Sequence, residues 1–448
     1  MNIISRFAIS ALLLVAGCLD VHAQKVWTLQ QCISHAIAHN ITVQRQEDNV
    51  HQQEITLNTL RNSRLPNLTA SAGENFSFGR GLTADNTYAN RNTQSTNFGL
   101  GTSVPLITGG QIPAQIRQQK LGLKAAMQDF QKAQDDVTLN VISAYLEAVC
   151  QKELVGVARQ QALLSAAQVD RMEKLLAEGK AAPADVAQIR TTLATDSLNL
   201  TQQENALMLS LLTLTQLLEL DTPSGFDVET PNEDLPLDAV LPSPNAVMAE
   251  AQGFKPQVIG DQLRLLEAKE GIAVAKSALF PSLYFSAGIG TNYYRTSGYG
   301  VSSFGSQMRD NFNQYFGLSL SIPIFNRMQT RNNIRSARLA VHTQQLQLQE
   351  TLKTLYREIQ QAYYNAVAAQ RQCQSAQVAG ESAETSFHLM QSKYEHGKAN
   401  VTEFQEAKTQ LTRARSESVQ ARLTFLFRRR LLEFYRRPST LAPSNGKG

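Results

Sequence analysis

Two stretches of this chain read as copies of one another, and that constrains its fold more than any other feature. Residues 174–186 carry a turn centred on Gly179, and residues 392–406 carry a second centred on Gly397, 218 positions later. The same offset relates Phe98–Pro105 to Phe316–Pro323 and Ala144–Val149 to Ala362–Val367. Self-similarity at a fixed offset means one structural unit used twice.

Each copy follows the same programme. A first helix is predicted over 28–63, with Thr28 and Gln31 as a capping box. It stops before Pro66, which forbids continuation. From Asn67 the apolar period changes to two. Leu68, Ala70, Ala72, Phe76 and Phe78 alternate with small polar residues, and after a polar loop over 80–96 so do Phe98, Leu100 and Val104, ending at Pro105. Each strand is expected to be about ten residues long. A helix over 113–178 follows, on the order of 100 Å long at about 1.5 Å per residue. A return helix covers 184–220, and a Pro-rich segment 221–244 breaks it. The programme then repeats. A helix over 245–279 ends at Pro281, and two strands carry Leu283, Phe285, Ala287, Ile289 and Phe316, Leu318, Leu320, Ile322, joined by a Tyr/Gly/Ser-rich loop. A long helix reaches Gly397, a last helix runs to Tyr435, and a disordered tail starts at Pro438. The half-length helices are expected to stack end to end. That places four strands at one end, two helical turns at the other and a waist between.

Apolar residues on one strand face and Gly, Ser, Thr and Asn on the other fit a membrane β-barrel, and equally a soluble half-buried hairpin. In a bilayer four strands cannot stand alone, because their edges carry unpaired backbone groups. Closure then needs other copies, and a water-filled lumen favours three or more.

The remaining features narrow the class by exclusion. The net charge of +4, on 42 basic and 38 acidic residues, gives no electrostatic footprint for nucleic acid. After the first 23 residues no apolar run is long enough for a membrane helix. The N-terminus reads as an export signal, with Arg6 before an apolar stretch over 7–17. Val21-His22-Ala23 offers cleavage before Gln24; Val15-Ala16-Gly17-Cys18 resembles a lipobox that would leave a lipidated Cys18. The ordinary cut is preferred, because Cys18 lies too close to the first helix for a usual lipid tether. Cys32, Cys150 and Cys373 are far apart and read as isolated thiols on helices. His35 and His39 are one turn apart with no third ligand, so they read as exposed helix positions and not as a metal site. No catalytic constellation, cofactor motif or metal site is recognisable. The arginines at 428–430, 436 and 437 read as a solvated or interface patch.

The duplicated helix–strand–strand–helix unit, the Pro-ended helix before each strand pair and the Gly turns together resemble the TolC family of bacterial outer-membrane efflux proteins, over about residues 28–435. The fold class implied is mostly α with a small β portion. It is a homotrimer with a shared twelve-stranded membrane barrel, continued by a periplasmic α-helical barrel. The domain layout expected is a signal peptide 1–23 (1–17 if Cys18 is lipidated), a first repeat 24–220, an equatorial segment 221–244, a second repeat 245–437 and a tail 438–448. The resemblance also implies partners: outer-membrane lipid, a periplasmic adaptor protein and an inner-membrane pump. The function implied is a passive exit duct of a tripartite efflux or type I secretion system, in the bacterial outer membrane and not an enzyme. A periplasmic coiled-coil adaptor without a channel is the alternative.

By the same resemblance, Glu403 and Glu406 are acidic residues at the periplasmic entrance, three copies giving a ring of six carboxylates that favours cations. The plain alternative is acids in a first helical turn, where they suit the helix dipole. The resemblance pairs Tyr394 with Asp185 to hold neighbouring coils shut. Gly179 and Gly397 supply the positive φ of the turns and are candidate adaptor contacts. The family's basic residue two positions after the second glycine is replaced by Ala399, which removes one locking contact.

Overall fold

The computed structural model describes residues 25–82, 86–223, 225–231, 237–238, 240–298 and 300–436. The signal segment, Cys18 and the tail lie outside them. The chain divides into two compact units, each discontinuous in sequence. One comprises 48–128 and 259–351; the other comprises the described residues of 1–47, 129–258 and 352–448.

The first of these units holds the four-stranded antiparallel sheet. Strands β2 (Asn67–Leu82), β3 (Tyr88–Thr108), β5 (Ser282–Thr296) and β6 (Asn313–Ser321) lie in the order β2-β3-β5-β6. The register places Ala70 opposite Leu100 opposite Ile289, and Ala287 opposite Phe316. Directly paired residues share a face, so Leu68, Ala70, Leu100, Ile289, Ala287 and Phe316 lie on one mostly apolar face, which Glu74 and Thr96 interrupt before Phe76 and Phe78. Gly101, Gly288, Ser103, Ser286 and Gly317 fall on the other face. There the Tyr315 ring covers Gly288, and a Cβ at Gly288 would meet that ring and the Leu100 carbonyl at 2.8 Å.

Three expectations need correction here. Strands β2, β3 and β5 are 16, 21 and 15 residues long, not about ten; β6, at 9, is as expected. The polar stretch expected as a loop over 80–96 is mostly ladder, because Tyr88–Thr96 pairs residue for residue with Glu74–Leu82. Polar composition imitates a loop, yet backbone pairing does not require apolar side chains. The second strand also does not end at Pro105. A register shift between Pro105 and Ile107 carries it to Thr108, since a bulge tolerates a residue with no N–H to donate. In the loop after β5 a short helix, Phe304–Asp310, is capped by Ser303. It is tied to β5 through Thr291 donating to the Met308 carbonyl at 2.6 Å and Asn311 to the Asn292 carbonyl at 2.7 Å.

Each β-to-helix junction in this unit turns through a left-handed pair. Gly109 and Gly110 have φ of 61° and 82°; Arg327 and Met328, 218 residues on, have φ of 54° and 65°. Glycine adopts this conformation freely, whereas it costs a side chain roughly 1–2 kcal/mol.

The second unit is helical. Its elements include α1 (Leu29–His39), the start of α2 (Ile41–Asn62), most of α3 (Gln111–Ala177), α4 (Pro183–Leu217), α5 (Pro244–Ala251), much of α8 (Gln329–Glu395) and α9 (Val401–Arg436). Helix α6 (Pro256–Ser277) begins here, and α7 is the short helix already described. Both α3 and α8 are 67 residues long. Thr28 and Gln31 form the expected capping box. Two helices predicted as continuous are broken. The first breaks at Asn40, whose ψ of 127° is extended. Its side-chain oxygen accepts from Thr42 N at 2.9 Å, and its amide donates to the Leu217 carbonyl at 3.2 Å. Asn competes with the helix by bonding its own backbone, and α4 supplies the remaining partner. The second breaks at 252–255, because Pro256 starts α6 and cannot continue α5.

The Pro-rich segment 221–244 is not wholly irregular. It contributes β4 (Phe226–Val228), parallel to β1 (Lys25–Trp27). Tyr145 of α3 secures this pair, its hydroxyl lying 2.7 Å from the Glu229 carbonyl and 3.1 Å from that of Trp27. Around it Cys32, Ile33, Val141, Leu214, Leu218, Val228 and Leu426 form the core. Cys32, Cys150 and Cys373 are free. Burial raises the Cys32 thiol to about 12 and the Cys150 thiol to about 11, so both are inert hydrophobes. His35 and His39 stack at 4.1 Å, with the Trp27 ring edge-on to His35.

Candidate functional site

The two glycine turns fold by one mechanism. Gly179 N donates to the Leu176 carbonyl at 2.9 Å and Lys180 N to the Leu175 carbonyl at 2.8 Å. Gly397 N donates to the Tyr394 carbonyl at 3.1 Å and Lys398 N to the Lys393 carbonyl at 2.8 Å. This is the Schellman pattern of helix termination, which needs a left-handed residue at the turn. The glycines provide it, at φ of 70° and 68°. The chain then re-enters a helix at Pro183 in one turn and at Val401 in the other.

Apolar side chains hold the two hairpins together at these turns. Met172, Val186 and Ile189 of the first form a buried cluster onto which Val401 of the second packs. Tyr394 stacks on Phe404 with ring centroids 4.7 Å apart, and its hydroxyl donates to the Met172 sulfur at 3.5 Å. Burial raises its phenol above the usual range; Arg171 opposes that shift and Asp185 adds to it. The hydroxyl therefore meets Met172, while Asp185 acts on it through the field. Arg171 donates to the Glu395 carbonyl at 3.3 Å, and its guanidinium lies 5.9 Å from the Tyr394 ring centre. A basic group of the first hairpin thus stands beside the second turn, where position 399 supplies none.

The two glutamates are not equivalent. Glu403 accepts from Asn400 N at 3.1 Å while its own N–H donates to Asn400 Oδ1 at 2.8 Å. This is a reciprocal capping box. Its sequence signal is Asn400 followed three residues later by Glu403. Glu406 is exposed, with no hydrogen-bond or ion-pair partner among the described residues. Replacing Asn400 by alanine should cost about 1 kcal/mol of cap stabilisation. Amide hydrogen exchange should accelerate over the first turn of α9 and not in α4; equal protection in both variants would exclude the cap.

A buried polar group was not anticipated at all. Lys408 of α9 is only 1% exposed and donates to Asp196 Oδ2 of α4 at 2.9 Å. Ser165 of α3 bonds both of them. Nothing in the sequence distinguishes this lysine from the many on exposed helix faces.

The sequence matches the outer membrane efflux protein family over residues 32–219 and 248–432. It is 27% identical over 382 residues to the pyoverdine export outer membrane protein OpmQ of Pseudomonas aeruginosa, spanning 81% of this chain and 75% of that one. To the outer membrane protein TolC of Escherichia coli it is 25% identical over 365 residues, 77% and 71% of the two chains. The Campylobacter jejuni CmeC outer membrane channel shares the fold, with a TM-score of 0.73 at 17% identity over 91% of this chain and 85% of that one. The family match covers both strand pairs, both long helices and both turns, and it sets aside the adaptor alternative. The chain belongs to the outer membrane efflux proteins, the TolC family of outer-membrane channels.

Proposed function

We propose that this channel is the passive exit duct of a tripartite efflux or secretion system, gated at the Gly179 and Gly397 turns. The observation that carries the reading is the sheet. One face is mostly apolar, with Leu68, Phe316, Leu318 and Leu320 all exposed, and the sheet order leaves β2 and β6 as edges. Lipid suits such a face, and edges in a bilayer require pairing. A homotrimer meets both demands by closing twelve strands, with a periplasmic helical barrel beyond them. Duplication of one unit, 24–220 and 245–437 on either side of 221–244, is supported by the equal lengths of α3 and α8, the matching turns and the left-handed pairs at a constant offset. A periplasmic adaptor engages the turns, and an inner-membrane pump supplies the energy. No step of this function calls for catalytic chemistry.

The gate is Tyr394 and Asp185, with Glu403 and Glu406 at the entrance. Arg171 takes the place of the missing basic residue at Ala399. Three copies put six carboxylates at one opening, and the free Glu406 contributes more to the ion's field than the capping Glu403. In planar bilayers the purified protein should show a small cation-preferring conductance, and light scattering should give a particle of three copies plus detergent. Glu403→Gln with Glu406→Gln should reduce the cation-to-anion permeability ratio several-fold, with Glu406→Gln accounting for most of it. An unchanged ratio would exclude the carboxylate entrance; a detergent-free monomer would exclude the channel assembly.

A further inference from the structure

Helices α3 and α9 run antiparallel along a seam that is polar at successive levels. Arg422 pairs with Glu153, Thr412 donates to Gln161 at 2.7 Å, and Lys408 meets Ser165. One turn nearer the glycine turns, the register brings Gln405 to the level of Gln168. There the Gln168 Oε1 acceptor and the Gln405 Nε2 donor are both buried without a hydrogen-bond partner among the described residues. They are complementary groups on facing helices, left unpaired. A buried network satisfied at one level and unsatisfied at the next is worse than an apolar seam. It becomes intelligible if the seam has two arrangements. In the present one the Lys408 ammonium is held by Asp196 and Ser165, and the amides are unpaired. A small slide of α9 along α3 would pair the amides and draw Lys408 away from its partners.

We propose that Lys408, Asp196 and Ser165 fasten α9 to the α3–α4 hairpin in the closed channel, and that opening exchanges this contact for a Gln168–Gln405 hydrogen bond. Lys408 is a positioning residue: it touches no permeant species but sets the place of the helix that carries Glu403 and Glu406. Burial lowers its pKa, and the Asp196 carboxylate opposes that shift. Asp196 is 16% exposed and can hydrate when its partner is lost, so Lys408→Met leaves no stranded buried charge.

This inference rests on the channel reading and is tested in the full-length protein by single-channel recording. Lys408→Met should raise the conductance several-fold at fixed voltage, and Lys408→Arg should stay near wild type. Adding Gln168→Leu and Gln405→Leu to Lys408→Met should return the conductance toward wild type, because the open arrangement loses its hydrogen bond. A merely structural role would lower thermal stability without raising conductance. A Lys408→Met protein of unchanged particle size and wild-type conductance overturns the fastener. A raised conductance that survives loss of both amides overturns the exchange. If Lys408→Met fails to assemble, Asp196→Asn is recorded under the same criteria. Failure of the channel reading is separate: the wild type itself would then not conduct.

Discussion

Gly109→Ala should destabilise the strand-bearing unit by about 3 kcal/mol or more, and Gly110→Ala by only about 1 kcal/mol. Both glycines are left-handed, so each alanine meets the same roughly 1–2 kcal/mol backbone penalty. Their surroundings differ. A Cβ at Gly109 would lie 2.5 Å from the Ser277 carbonyl oxygen and 2.9 Å from Phe280 Cβ, whereas one at Gly110 meets nothing within 4 Å. Residues 277–280 are the chain's turn into β5, so the obstacle is backbone and cannot swing aside. The clash therefore adds to the strain at Gly109 alone. Heat denaturation in detergent should show the larger drop in midpoint for Gly109→Ala; equal losses in the two variants would rule out the contact. Arg327 and Met328 hold the corresponding φ without glycine, so Arg327→Gly should stabilise slightly in the same assay.

The second large effect is a dependence on pH. Lys255 is 4% exposed, stacked 3.6 Å above the Phe434 ring centre and donating to the Phe434 carbonyl at 3.0 Å. Burial lowers its pKa to about 8, against the opposing pull of Asp135, Asp136 and Glu358. The unfolded lysine titrates near ~10.4. Between these values the unfolded chain holds more protons, so folding stability contributed by this group rises with pH. The cost of burying the charge is full below pH 8 and gone above the unfolded value. That difference amounts to about 3 kcal/mol. Lys255→Met has no such proton to lose. The stability of wild type relative to Lys255→Met should therefore climb from pH 8 to 10, and parallel curves over that range would refute the assignment. Above pH 10 both proteins also lose stability in common, because burial raises Tyr435 to about 12 and the unfolded chain ionises there first.

The legible parts of the site were those governed by local rules. Gly179 and Gly397 had to be turns, since nothing else between two long helical runs takes φ near +70° so readily. The Asn400 and Glu403 capping box is equally local, but a glutamate in a first helical turn reads as a charge before it reads as a cap. Tyr394 was named through the family resemblance, but its contact with Met172 was not legible. Met172 lies 222 residues away in the chain, and only the packing of the two hairpins makes it a neighbour. Lys408 was invisible for the same reason. A lysine on a helix looks solvated until α3 and α4 close over it.

By itself the sequence determined the kind and order of most elements. The period of two, the prolines at 66 and 281 and the 218-residue offset act within a few residues or by self-comparison, so no tertiary knowledge is needed to read them. Tertiary structure decided the strand lengths, the breaks at Asn40 and Pro256, the β1–β4 pair and every buried polar contact. Those outcomes depend on which backbone groups find partners across hundreds of residues: the carbonyl of Leu217 for Asn40, the carbonyls of Trp27 and Glu229 for Tyr145, the carboxylate of Asp196 for Lys408. A polar group buried without a partner costs more than most local preferences are worth. Where the two conflicted, the long-range partner prevailed.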